Sequence, residues 1–283
     1  VAPSRGLGDV YKRQTAAYNA DDPKIKLKID HTYRVAALCE RIAKAVGMCA
    51  YDVELAWLSG MLHDVGRFEQ IKRYNTFSDA DSVDHAKFGA DLLFKDGLIS
   101  TFLNGMVKCT GYKPGALEDR YDSDGVFLYD RLNKSDMEML ELAIRCHNMY
   151  RIPQGLNRRE QAFCNVLRDA DKVDIFKVNI DTPLEEIYNT TTEELMKSDI
   201  TDEVLKAFDE EHCILKAIRR TPADTVIGHV SLAYELVYDE SVRITVEQGY
   251  LAKLMHFHSD NEETNRKMAM VREKMDSCLL YTS

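Results

Sequence analysis

An all-α fold is what this 283-residue sequence predicts, and three observations carry the prediction. Apolar residues recur at spacings of three and four along most of the chain, as the inward face of a helix requires. No apolar–polar alternation persists beyond four positions, so no strand is expected. The composition is 45% apolar and 30% charged with six prolines, which excludes collagen-like, disordered and disulfide-scaffold classes.

Local pattern justifies each element in turn. Val35, Leu38, Ile42 and Val46 mark a helix over 30–46 that Gly47 ends. Asp52 is the expected N-cap of a second helix, with Val53, Leu55, Ala56, Leu58, Met61 and Leu62 on its apolar face and an end near Gly66. Further helices are expected over 84–94, 135–146 and 158–178, then shorter ones over 192–196, 203–208, 225–237 and 250–257. Between Asn104 and Asn133, five Gly or Pro residues stand among tyrosines and charges, which predicts an irregular insertion able to cover a site. Trp57, Met61 and Tyr33 sit at helical spacing among apolar neighbours and are expected in the core.

The expected domain organisation is one helical domain over 19–260 carrying the insertion near 104–133. Tails over 1–18 and 261–283 flank it, the second containing a helix. The opening VAPSRGLGDVYKRQ and the closing SCLLYTS show no periodicity and resemble translated adaptor sequence, so neither contributes to the fold reading.

Net charge is −10, which disfavours a nonspecific grip on a nucleic-acid polymer or an anionic membrane. An anionic ligand therefore needs a locally positive site. The seven cysteines form no CxxC pair and are an odd number, so reduced thiols in the cytoplasm are expected, not a disulfide framework or a zinc ribbon. No apolar run reaches the length of a membrane-spanning helix, and oligomeric state is not legible.

Four of the eight histidines, His31, His63, His85 and His147, fall in the first 150 residues at helix ends or first turns. Any one of them is more simply a satisfied imidazole. Their order changes that weight. His31, the pair His63-Asp64, and Asp171 within Arg168-Asp169-Ala170-Asp171-Lys172 form the pattern H…HD…D. In this the chain resembles the HD-domain superfamily of metal-dependent phosphohydrolases, over roughly residues 25–180. The local stretches His31-Thr32-Tyr33-Arg34-Val35, Gly60 to Phe68 and Asp169 to Asp174 also look like that family's motifs.

The resemblance implies an all-α HD-domain helical bundle with an irregular insertion and a C-terminal helical extension. It implies His31, His63, Asp64 and Asp171 as ligands of a first ion, with Asp64 able to bridge to a second. Asp171 is preferred over Asp169 because in the family the ligand immediately precedes a residue at the position of Lys172. The helix opened by His85, with Gly89 and Leu92-Leu93, is similar to the HxxxGxxLL helix of dinuclear members, and His147 stands where those members place another ligand. The implied cofactor is one or two divalent transition ions drawn from Mn, Fe, Co, Ni or Zn, since a mixed imidazole–carboxylate set suits these better than magnesium.

The implied partner is a small phosphorylated molecule. Asp64 would orient or deprotonate the attacking water, and Lys172 would serve catalysis and bind phosphate with Arg67, Arg34, Arg145 and Arg168. Ordinary surface ion pairs are the simpler reading for at least half of these cations. After His147 the chain has Asn148 and Arg151-Ile152-Pro153-Gln154-Gly155 in place of a Gly-Tyr-Pro loop, which argues against cyclic-dinucleotide cleavage. Two other classes stay open: a mixed-valent diiron oxygenase similar to myo-inositol oxygenase on the same scaffold, and a non-catalytic nucleotide-binding sensor.

Overall fold

A computed structural model describes residues 18–19, 21–103, 132–188 and 190–281. Among these there are helices and turns and no strand, in agreement with the all-α prediction. The expected insertion falls almost wholly outside the described residues, as does Cys109. No described helix is long and apolar enough to cross a membrane. The chain divides into two compact units, 1–167 and 168–283.

In the first unit, α1 (Pro23–Ala45) begins at Asp22, whose side chain accepts from the Lys24 amide, with Pro23 at its first position. α2 (Ala50–Leu62) starts at Cys49, three residues before the expected cap Asp52. Asp52 is instead a first-turn acid that accepts from the Arg159 guanidinium at 2.7 Å. The second helix also ends earlier than Gly66. A break at His63-Asp64 separates it from α3 (Val65–Tyr74), which apolar spacing alone did not separate because Val65 and Phe68 continue the pattern. α4 (His85–Ala90) is capped by Asp84 and passes into a π-helical turn, Asp91–Lys95, followed by α5 (Leu98–Leu103). α6 (Lys134–Cys146) opens with a capping box between Asn133 and Asp136, and α7 (Arg158–Asp181) begins in the first unit and runs into the second.

α1 packs on α2, α3 on α4, and α6 on both α2 and α4. Val35, Ile42, Leu55, Leu58, Met61, Leu62, Leu140, Ile144 and Phe163 are all buried. Each side chain of this kind contributes about 1.5–3 kcal/mol on burial. Trp57 and Met61 belong to this core, and Tyr33 lies half-buried against a smaller cluster of Ile25, Ile29, Phe68 and Ile71. Cys39, Cys146 and Cys164 are buried as small hydrophobes.

Two glycine contacts fix the spacing of these helices. A Cβ on Gly60 would stand 2.6 Å from the Ala36 Cα, so α2 approaches α1 closely only because position 60 lacks a side chain. A Cβ on Gly66 would stand 2.3 Å from the His85 carbonyl oxygen and 2.8 Å from the Gly89 nitrogen, which imposes the same requirement on α3 and α4.

The second unit contains α8 (Leu184–Tyr188), α9 (Thr192–Lys197), α10 (Asp202–Asp209), α11 (Pro222–Val230), α12 (Asp239–Gln248), α13 (Tyr250–Met255) and α14 (Glu262–Tyr281). Its core includes Phe176, Leu195, Val204, Phe208, Ile227, Leu254, Met268 and Val271. The helix expected over 225–237 starts earlier, at Pro222, because Thr221 caps it and forms a capping box with Asp224. It gives way to a 3-10 turn at Ser231–Glu235. Asp224 also accepts from the Thr201 amide at 2.8 Å, so one buried carboxylate ties the starts of two helices.

Candidate metal centre

His31 faces inward from the third turn of α1. His63 is the C-cap of α2, Asp64 the N-cap of α3, His85 the first residue of α4, and His147 the C-cap of α6. The break between α2 and α3 is what lets two neighbouring residues turn to one centre. In a continuous helix they would diverge by about 100°. All five side chains are buried, and His63 has no exposed surface.

The cluster has two halves joined by one carboxylate. Asp64 Oδ2 lies 3.6 Å from His31 Nε2 and 3.7 Å from His63 Nε2, and those two nitrogens are 3.3 Å apart. Asp64 Oδ1 lies 3.5 Å from His85 Nε2 and 3.8 Å from His147 Nε2, which are 3.1 Å apart. Two ligands bound to a common ion at about 2.1 Å, in octahedral or tetrahedral geometry, stand about 3.0–3.4 Å apart. The imidazole pairs meet that spacing, and the carboxylate oxygens stand a few tenths of an ångström outside it.

The protons add a second test of fit. His63 Nδ1 and His147 Nδ1 donate to the carbonyl oxygens of Gly60 and Ile144, each at 2.7 Å, and His85 Nδ1 donates to Asp79 Oδ2 at 2.7 Å. A carbonyl or carboxylate has no proton to give, so each Nδ1 carries the hydrogen and each neutral ring presents a bare Nε2 lone pair. The His85 and His147 lone pairs therefore oppose each other at 3.1 Å. Burial, helped by the Arg67 charge, lowers His85 to about 4, so the ring is neutral near pH 7. Opposed lone pairs in a buried site are repulsive unless a cation lies between them, so the donor set fits a metal ion.

Among the described residues, His31–His63–Asp64 and Asp64–His85–His147 are both groups able to hold an ion. Asp79–Asp84–His85 is a third, more open group.

Two cations flank the bridging carboxylate. Burial would raise Asp64, but Lys28 and the surrounding groups hold it well below the ordinary carboxylate range. Lys28 Nζ lies 2.7 Å from Asp64 Oδ2 and over the Phe77 ring. Sequence reasoning did not single out Lys28, although it lies one helical turn before His31 on the same face. Arg67, which it did single out, has its Nε 3.7 Å from Asp64 Oδ1. Its Nη1 donates to Gln70, the Phe77 carbonyl and Asp79.

The other expected cations are placed differently. Arg145 pairs with Glu141 at 2.6 Å and Asp91 at 2.7 Å. Arg34 is half-buried on α1, three residues after His31. Arg168, Asp171 and Lys172 belong to the second unit, where Arg168 and Lys172 are buried one helical turn apart and Asp171 is half-buried. Burial and the Arg168 charge lower Lys172 to about 8. Asp169 is fully buried and accepts from the amides of Val237 and Tyr238, at 2.9 and 3.0 Å, where the chain enters α12. It is thus a helix-supporting carboxylate.

A family model of the HD domain matches residues 29–212. No curated protein matches the chain, and no solved structure does.

Proposed function

The chain belongs to the HD domain family, and from that premise we propose that it is a metal-dependent phosphohydrolase cleaving a phosphate mono- or diester, nucleotides among the substrates. The observation that carries this reading is Asp64, which turns one oxygen to His31 and His63 and the other to His85 and His147. Divalent transition ions held there would supply Lewis acidity and a water acidified to near neutrality. His31 and His63 would hold the first ion and His85 and His147 the second, with Asp64 between them. Asp171 is assigned as the further carboxylate ligand from its sequence motif.

The chain's own residues do the rest. Lys28 and Arg67 keep Asp64 ionised, so both of its oxygens remain acceptors. Asp64 is then placed to orient the attacking water or take its proton. Lys172 and Arg67 lead the cations proposed to meet phosphate oxygens, a lysine as a point charge and an arginine as a fork. Reduced thiols suit a cytoplasmic location.

The test is phosphate release from a panel of nucleotides and simple phosphate esters, using protein prepared with manganese or iron beside an Asp64→Ala control. Release that is lost in the variant supports the reading. Silence across the panel, with oxygen uptake by protein carrying two irons, would replace it with the oxygenase reading.

A further inference from the structure

The loop between α3 and α4 contributes a residue that periodicity does not mark. Asp79 is about four-fifths buried and uses both carboxylate oxygens. Oδ1 accepts from Arg67 Nη1 at 2.8 Å and from Gln70 Nε2 at 3.0 Å. Oδ2 accepts from His85 Nδ1 at 2.7 Å, with Asn148 Nδ2 more distant at 3.4 Å. Arg67 in turn reaches back toward Asp64, and Asp64 toward His85, so four side chains close a ring around one half of the centre.

We propose that Asp79 is a positioning residue for the second ion. It fixes His85 in the Nδ1–H tautomer, so that the Nε2 lone pair is presented to the ion, and Arg67 and Gln70 hold Asp79 in place. This rests on the metal-centre reading above. A carboxylate behind a ligating imidazole orients the ring and raises its basicity. The other ligands with a visible Nδ1 partner, His63 and His147, obtain theirs from carbonyls of their own helices three residues back. His85 is the first residue of its helix and has no preceding helical carbonyl to use. The loop supplies the missing acceptor.

Asp79→Asn is the discriminating change because it keeps shape and removes one acceptor. The amide oxygen is drawn to the Oδ1 position, where Arg67 and Gln70 both donate, and the amide nitrogen then faces His85 Nδ1. That forces the proton to Nε2 and removes the lone pair from the ion.

Chelator-stripped protein reloaded with Mn(II) should bind two ions with an exchange-coupled EPR signal. Asp79→Asn should weaken the second ion by about 10–100-fold, leave the first within about twofold, and convert the coupled signal to that of isolated Mn(II). Asp79→Glu, which keeps two acceptor oxygens, should recover part of the coupling. Wild-type affinity for both ions in the Asn variant, or equal loss of both, would overturn the proposal.

Nitrogen-15 spectra of the imidazoles in chelator-stripped wild-type protein decide the matter even if the variant does not fold. Nδ1–H at His85 is expected, and Nε2–H overturns the proposal. Wild-type protein that binds no manganese, with Nδ1–H at His85, would bring down the metal reading and leave the Asp79 contact standing as structure alone.

Discussion

His31 and His63 face each other because two long helices lie against one another at Gly60. His147 stands at the end of the 13-residue α6, but His85 is brought to it by a six-residue helix, a Gly66–Gly89 contact and the hydrogen bonds of a loop. The first pair is a by-product of core packing: 23 residues of α1 and 13 of α2 would have to shift to separate the rings. The second depends on a six-residue helix and on side-chain acceptors at Asp79 and Asp84. The first half thus draws its rigidity from buried apolar surface, whereas in the second the buried face of α6 holds His147 and polar contacts, which are directional and sensitive to single atoms, orient His85. The halves should therefore fail separately.

Asp64→Ala removes the group common to both and has the largest expected effect. Neither ion should be retained by metal analysis, and activity should fall by about a thousandfold or more. Retention of one tightly bound ion would show that the halves are independent sites. Gly66→Ala and Gly60→Ala come next, each forcing helices apart at a cost of about 1–3 kcal/mol of stability. Gly66→Ala should lose the second ion and keep the first, and Gly60→Ala the reverse. Identical metal content in the two variants would erase the distinction drawn here.

A smaller effect separates the two aspartates on α7. Asp171→Ala should lower metal content with little change in melting temperature. Asp169→Ala should do the opposite, because it strips an acceptor from the Val237 and Tyr238 amides and costs about 1–3 kcal/mol. Metal loss from Asp169→Ala alone would exchange their roles.

The effect that is absent at neutral pH and emerges only in acid lies at His229. Burial, reinforced by Arg219 and Lys216, lowers His229 from 6.5 to about 3. The unfolded chain takes up a proton there below pH 6.5 and the folded chain does not. The stability this gives is present above pH 6.5 and is lost as pH falls toward 3. His229→Leu should flatten the acid limb of the denaturation profile, and parallel limbs for the two proteins would contradict the assignment.

Much of this is legible in the sequence, for physical reasons that differ by residue. The long helices follow from apolar spacing, and the histidines stand out because imidazole beside carboxylate is scarce and ordered here. The break at His63-Asp64 was hidden because Val65 and Phe68 extend the same apolar face across it. Lys28 carried a weak signal, one turn from His31. Asp79 carried none, because a loop acid between Thr76 and Asp84 has no periodicity and gains meaning only from the His85 ring it meets. Proximity in sequence also does not reveal that Arg145 is engaged by Glu141 and Asp91.

Asp64 is proposed to join two ion sites. The most direct measurement is a crystal structure of manganese- or iron-loaded protein with anomalous data collected at the metal edge. Two anomalous peaks are expected, one between Asp64 Oδ2 and the His31–His63 pair and one between Oδ1 and the His85–His147 pair. A single peak, or two that do not share Asp64, would contradict it.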